Sequence, residues 1–268
     1  MAVQYLVFDM ESVADGALVS RLRFPGQGLS PEEAVARYRA ELIAKFDNDF
    51  IPYTFQLPVS LVVAKVDRQF RLIDLVALDD PEFRPHMITE HFWRGWEKYR
   101  RPTLVSFNGR TFDLPVLELA AFRYGLSVPG WFNVEAKSFE QLRGRYNISA
   151  HIDVMELLTN FGSSRFTGGL NLVSNILGKP GKMAVEGHMV QDMYNEGRLK
   201  EINDYCRCDV LDTYFAFLRT RVMLGQLTLD AEQSIVAETK AWLEARAADA
   251  PAFAMYLEHW ADWPNPWE

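Results

Sequence analysis

The stretch Tyr5-Leu-Val-Phe-Asp-Met-Glu-Ser12 reads as a buried strand that ends in two carboxylates. In a strand, residues i and i+2 point to the same face, so Asp9 and Glu11 stand side by side while Met10 points into the core on the other. Paired carboxylates on a strand of Tyr, Leu, Val and Phe repel each other and are costly to desolvate. A divalent cation is one way to make such a pair acceptable. A strand end dipping into solvent, with two unrelated surface acids, is the other.

The wider composition sets bounds. The chain has 268 residues, of which 49% are hydrophobic and 13% aromatic, enough for one large core. No apolar run reaches about 18 residues, so no membrane span is expected, and the first residues lead into a strand without a basic leader. The two cysteines, Cys206 and Cys208, lie on different faces of an apparent helix. That spacing suits neither a disulfide nor a shared zinc site and implies a reducing compartment, with a cytoplasmic location. Net charge is −8, against a generally nucleic-acid-binding surface. Residues 94–110 and 137–182 nevertheless sum to +7, leaving −15 elsewhere. This basic rim either admits a polyanionic substrate or is ordinary solvated loop charge.

Along the chain, the patterning predicts strands over 3–10, 58–66, 69–77, 103–107 and 150–154. Helices are expected over 31–46, with Ser30 as N-cap and Pro31 at the first position, and over 86–99, 113–124, 155–160, 170–177, 188–196 and 198–225. Two more fill 229–260. The aromatic stripe Phe92, Trp93, Trp96, Tyr99 reads as core. Residues 12–53 contain a helix that either shapes a cleft or covers the sheet. The mixture implies an α/β domain with extra C-terminal helices.

Two later segments carry further acids. In Ser106-Phe-Asn-Gly-Arg-Thr-Phe-Asp-Leu-Pro-Val-Leu117 a strand ends in a tight turn and a helix begins at Asp113, a position also common for a helix cap. In Tyr205-Cys-Arg-Cys-Asp209, Tyr205 and Asp209 are four apart and share a helix face. Phe8-Asp-Met-Glu11, Asn108-Gly-Arg-Thr-Phe-Asp113 and Tyr205-x-x-x-Asp209, in that order over about residues 3–220, resemble the DEDD superfamily of 3′→5′ exonucleases in its tyrosine-bearing (DEDDy) subgroup. The form Asn-x-x-x-Phe-Asp-x-Pro is most similar to predicted 3′→5′ exonucleases related to the proofreading domain of B-family DNA polymerases.

The resemblance implies a ribonuclease H-like fold, a mixed central sheet flanked by helices, in residues 1–225, with 226–268 as a helical extension packed on it. It implies two divalent metal ions, Mg²⁺ or Mn²⁺, which prefer oxygen ligands. Asp9, Glu11 and Asp209 would bind one ion, Asp9 and the substrate phosphate the second, and Asp113 would act mainly through metal-bound water. Tyr205 would orient the attacking water, since a free phenol with pKa about 10 is a weak base at neutral pH. Asn108 would contact the 3′-terminal nucleotide, or else serve the turn beside Gly109, and Phe112 would pack within the motif beside the substrate. His151 and His188 are read as structural or surface, Asp153 as a helix cap, and Lys179 and Lys182 as a solvated loop in preference to phosphate contacts.

The expected activity is hydrolysis at the 3′ end of single-stranded nucleic acid, DNA in preference to RNA. An exoribonuclease or oligonucleotidase on the same fold is the nearest alternative; a non-catalytic nucleic-acid-binding module is the other, and the crowded carboxylates speak against it. No polymerase palm or thumb follows in the sequence, so any polymerase partner would be a separate chain.

Overall fold

The structure is a computed structural model that describes residues 2–181 and 189–267; Lys182 and His188 lie outside them. Among the described residues, five strands form one mixed sheet in the order β3-β2-β1-β4-β5. Strand β1 (Tyr5–Ala14) pairs antiparallel with β2 (Gln56–Val66), which pairs antiparallel with β3 (Leu72–Ala77). On its other side β1 runs parallel to β4 (Thr103–Ser106), and β4 parallel to β5 (His151–Asp153). The fold is ribonuclease H-like α/β.

The first strand is longer than its sequence suggests. It does not stop after Met10, so Asp9 and Glu11 sit within the strand and not at its end. The extension is held by β2, whose partners run on to Gln56 opposite Ala14. The register shifts where Glu11 faces Ser60 and Ser12 faces Pro58. Val59 is therefore the extra residue, and the bulge accommodates a proline that has no N–H to give the ladder.

Each face of β1 is covered by a different layer. On one face Phe8 meets Phe92 of helix α3 (Pro85–Lys98), ring centroids 5.1 Å apart. Phe92, Trp93 and Trp96 of α3 are all buried, as the stripe predicts. On the other face Tyr5 meets Phe217 of α8 (Leu199–Met223), 5.1 Å between centroids. Asp9 and Glu11, in phase with Tyr5, are thereby turned toward α8. Between these elements lie α4 (Asp113–Tyr124), which ends at Gly125 in left-handed conformation, and the short helices α5 (Val154–Leu158), α6 (Gly169–Ile176) and α7 (Val190–Asn195).

Residues 15–55 hold two helices, α1 (Gly16–Arg23) and α2 (Pro31–Phe46). The capping box of α2 is complete, with Ser30 Oγ accepting from the Glu33 N–H and the Glu33 carboxylate from the Ser30 N–H. Helix α1 is a second helix in a segment where the sequence patterning indicates one. Asp15 is its N-cap, accepting from the Leu18 N–H at 3.0 Å, and a Cβ at Gly16 would strike the Pro31 backbone. The pair buries its own small core of Val19, Phe24, Val35, Tyr38, Leu42 and Ile51.

Helices α9 (Leu229–Glu244) and α10 (Pro251–Glu258) pack on α8, and Leu243, Phe253 and Tyr256 join the main core. Lys179 belongs to this region and not to a solvated loop. It is 5% exposed, its Nζ lies 3.9 Å from the Trp260 ring centroid, and it donates to the Leu177 and Ala261 carbonyls. Burial pulls its ammonium down to about 8. An aromatic face that attracts a cation fixes it here, leaving it no reach to a phosphate.

Asp212, one turn beyond Asp209, is buried and accepts a 2.6 Å hydrogen bond from the Tyr256 hydroxyl. Burial pushes its carboxyl up to about 7; the Tyr256 bond pulls the other way and the Asp209 charge adds to the rise. A carboxyl raised in the folded state stabilises fully below its unfolded pKa near 3.8 and loses that stability as pH rises through about 7. The melting temperature should therefore fall across that window, and Asp212→Asn should flatten the fall while keeping an acceptor for Tyr256. Thermal melts of both proteins across the window check this; parallel curves contradict it.

Candidate active site

Three elements from distant parts of the sequence bring the acids together. Strand β1 supplies Asp9 and Glu11, the β4–α4 turn delivers Asp113, and α8 carries Tyr205 and Asp209. Asp9 is the hub. Its carboxyl is held well above the ordinary carboxylate range by burial first, then by the charges of Asp113, Asp209 and Glu11 in that order. Asp9 therefore feels the charge of three other acids, and these four constitute the candidate site.

The turn that presents Asp113 is tightly specified. Asn108 takes a left-handed conformation at φ 63°, and its side chain accepts from the Thr111 hydroxyl at 2.6 Å. Gly109 is required because a Cβ there would overlap the Ser106 hydroxyl. Asp153 caps α5 as the sequence suggests, accepting from the Met155 and Glu156 N–H groups. Its carboxylate also accepts from the Asn108 and Arg110 N–H groups at 2.9 and 3.0 Å, tying the turn to β5. Asp113 is the first residue of α4, not its cap, and Phe112 holds the cap position without a side-chain bond. Burial pushes Asp113 up to about 7, its own N–H and that of Met10 lower it, and the Asp153 charge raises it further. The Met10 N–H ties Asp113 to the segment of β1 between the two strand acids.

Helix α8 is seated by polar contacts. The Ser60 hydroxyl, opposite Glu11 in the ladder, donates to the Asn203 side chain at 2.7 Å. The Cys206 thiol donates to the Asp9 carbonyl at 3.3 Å. Both cysteines are free and buried; Cys208 turns the other way, toward the Ala252 carbonyl. One face of α8 is thus pinned to β1 and β2, which fixes where Tyr205 and Asp209 emerge. Tyr205 is 6% exposed, and its hydroxyl hydrogen-bonds Asp209. Burial, then the charges of Asp209, Glu11 and Asp9, drive its pKa upward, so the phenol stays protonated.

His151 is no candidate base. It is fully buried, its Nε2 is 2.8 Å from Ser106 Oγ, and burial with the Arg110 charge keeps it neutral. Five arginines of the basic rim are paired with acids. Arg110 and Arg145 pair with the buried Glu156, Arg94 with Glu90, Arg101 with Glu97 and Arg143 with Glu118.

Ligand atoms of Asp9, Glu11 and Cys206 lie within 4.8 Å of one another, close enough to surround one cation. Burial and the acids push the Cys206 thiol well up, so it stays a neutral S–H donor. The hard donors are therefore carboxylate oxygens, the set that Mg²⁺ and Mn²⁺ select. A crowded carboxylate hub is also what a cation would relieve, so residues and ion fit. The part played by Cys206 is not visible in the sequence, where only its spacing from Cys208 stands out.

A family of predicted 3′-5′ exonucleases related to the exonuclease domain of PolB matches residues 48–260. This chain belongs to that family. The matched residues include Asn108, Phe112, Asp113, Tyr205 and Asp209, while Asp9 and Glu11 precede them and join the site through the fold. Among solved structures, the family B DNA polymerase of the hyperthermophilic archaeon Pyrobaculum calidifontis is similar to this predicted exonuclease with a TM-score of 0.51 and 12% identity. The alignment covers 83% of this chain and 25% of the polymerase, so the exonuclease-family chain spans about a quarter of that structure. No curated protein matches it.

Among the described residues, no helix is long and apolar enough to cross a membrane.

Proposed function

We propose that the chain is a metal-dependent 3′→5′ exonuclease of the DEDDy type, acting in the cytoplasm on single-stranded 3′ ends, DNA in preference to RNA. Residues 1–225 form the nuclease domain, and 226–268 brace α8 from behind. The observation that carries this reading is the convergence of Asp113, Asp209 and Glu11 on Asp9. Such a cluster costs folding energy and has no use in a module that only binds polyanions.

Asp9, Glu11 and Asp209 would hold the cations directly, and Asp113 would act mainly through metal-bound water. When bound, two Mg²⁺ or Mn²⁺ ions supply electrostatic stabilisation of the attacking and leaving oxygens. Tyr205 remains a neutral phenol; its hydroxyl, anchored by Asp209, orients the attacking water without removing its proton. The Ser60–Asn203 and Cys206–Asp9 bonds keep α8 in register with β1, so distances among the acids do not drift. The net charge of −8 suits a short single-stranded end over a long duplex.

The test uses single-stranded DNA and RNA labelled at the 3′ end, with Mg²⁺, with Mn²⁺ and with chelator. Release of labelled mononucleotide that requires metal, faster on DNA, supports the proposal. Internal cuts, or no release with either metal, refute it; faster release from RNA makes the enzyme an exoribonuclease.

A further inference from the structure

Beside the acid cluster lies a cleft of about 310 Å³. Glu11 lines it and also belongs to the cluster, so an occupant of the cleft abuts the acids. Phe112 lines it too, as does Gln191 of α7, whose side chain accepts from the Ala14 N–H at 2.8 Å. The rest of the wall includes the two-helix segment: Arg39 of α2, and Asp49 and Phe50 of the loop after it. The segment thus shapes the cleft as well as covering the sheet.

Two features of that wall are unexplained by folding. Phe50 is 54% exposed although its neighbour Ile51 is 3% exposed and anchors the loop in the small core. Its ring lies 5.6 Å from that of Phe112 at 56°, so an aromatic pair spans the gap between insertion and motif. Arg39 lines the cleft and, among the described residues, makes no ion pair, whereas most arginines near the site do. An exposed aromatic beside an unpaired guanidinium is a stacking platform with a phosphate contact, the pairing that binds single strands.

We infer that the loop after α2 supplies a nucleotide subsite: one terminal nucleotide of a single strand stacks its base on Phe50 beside Phe112, with a phosphate at Arg39. Asn108, engaged with Thr111, does not line this cleft and is not its recognition residue. The volume sits at the low end for ligand pockets, and Asp49 on the same wall repels a second phosphate, so the subsite takes one nucleotide. The inference rests on the nuclease reading for the identity of the ligand.

The experiment measures binding of a 5′-fluorescein-labelled thymidine hexanucleotide by anisotropy in metal-free buffer, and separately its cleavage with Mn²⁺. Phe50→Leu, which keeps apolar bulk but no ring, should weaken binding about tenfold, and Phe50→Tyr should retain wild-type affinity. Arg39→Gln should weaken binding and reduce the salt slope by about 0.7, the loss of one phosphate contact on a single strand. Unchanged melting temperatures confirm that these variants fold. Equal affinity of Phe50→Leu and wild type, an unchanged slope in Arg39→Gln, or no binding by wild type overturns the subsite. Binding that responds as stated without cleavage leaves the subsite standing and refutes the exonuclease; cleavage with unaffected binding does the reverse.

Discussion

Asp9→Ala should lower metal-dependent release of mononucleotides by about a thousandfold or more. Asp9 is the residue on which the other three acids converge, so its loss removes the shared ligand and not one of four equivalent groups. Stability moves the opposite way. In the metal-free protein the Asp9 carboxyl is costly because burial and three like charges oppose its ionisation. Its raised pKa means that its stabilising contribution is complete below the ordinary carboxylate range and is lost progressively as pH rises toward the folded value, so the wild type already bears a cost at neutral pH. Asp9→Asn, which keeps the shape, should therefore melt about 3 °C or more above the metal-free wild type while being inactive. Kinetics and melting of the same samples check both halves. An inactive variant that melts lower would make Asp9 a structural residue.

Tyr205→Phe slows turnover by about 10–100-fold with little change in KM, because it removes one oriented hydroxyl and no ligand. The pH–rate profile distinguishes orientation from base catalysis. Burial and the charges of Asp209, Glu11 and Asp9 raise the phenol, so it stays protonated throughout the working range and contributes no ionisation there. Wild type and Tyr205→Phe should therefore give profiles of the same shape, displaced vertically. An alkaline limb present in wild type and absent in the variant would show that Tyr205 acts as the base. Loss of metal binding in the variant would show that the Tyr205–Asp209 bond is needed to assemble the ligands.

What the sequence reveals of the site is what local periodicity controls. Asp9 and Glu11 share a face because strand residues alternate, and Tyr205 and Asp209 do because a helix turns once in about 3.6 residues. The limits of α2 are legible because Ser30, Pro31 and Glu33 are the chemistry of a helix start. The turn before α4 is legible from Asn108-Gly109 for the same reason. Features that depend on distant partners are hidden. Strand β1 continues to Ala14 only because β2 passes a bulge and keeps pairing. Lys179 is an exposed loop residue until Trp260, far along the chain, covers it. Cys206 supports Asp9 only once α8 lies against β1, and Phe50 borders the cleft only once its loop meets Phe112. Sequence charge misleads in a related way: the basic rim is real by count, but four of its arginines are taken up by Glu156, Glu118 and Glu97.

The four converging acids are proposed as a cation site, and this assignment is open to a binding measurement. It is tested most directly by titrating the metal-free protein with Mn²⁺ in a calorimeter, for wild type and Asp9→Asn side by side. Wild type should bind Mn²⁺ and gain melting temperature with its concentration, as a ligand of the native state alone must produce. Asp9→Asn should show neither the heat nor the gain. Equal binding and equal stabilisation of the two proteins would contradict the account.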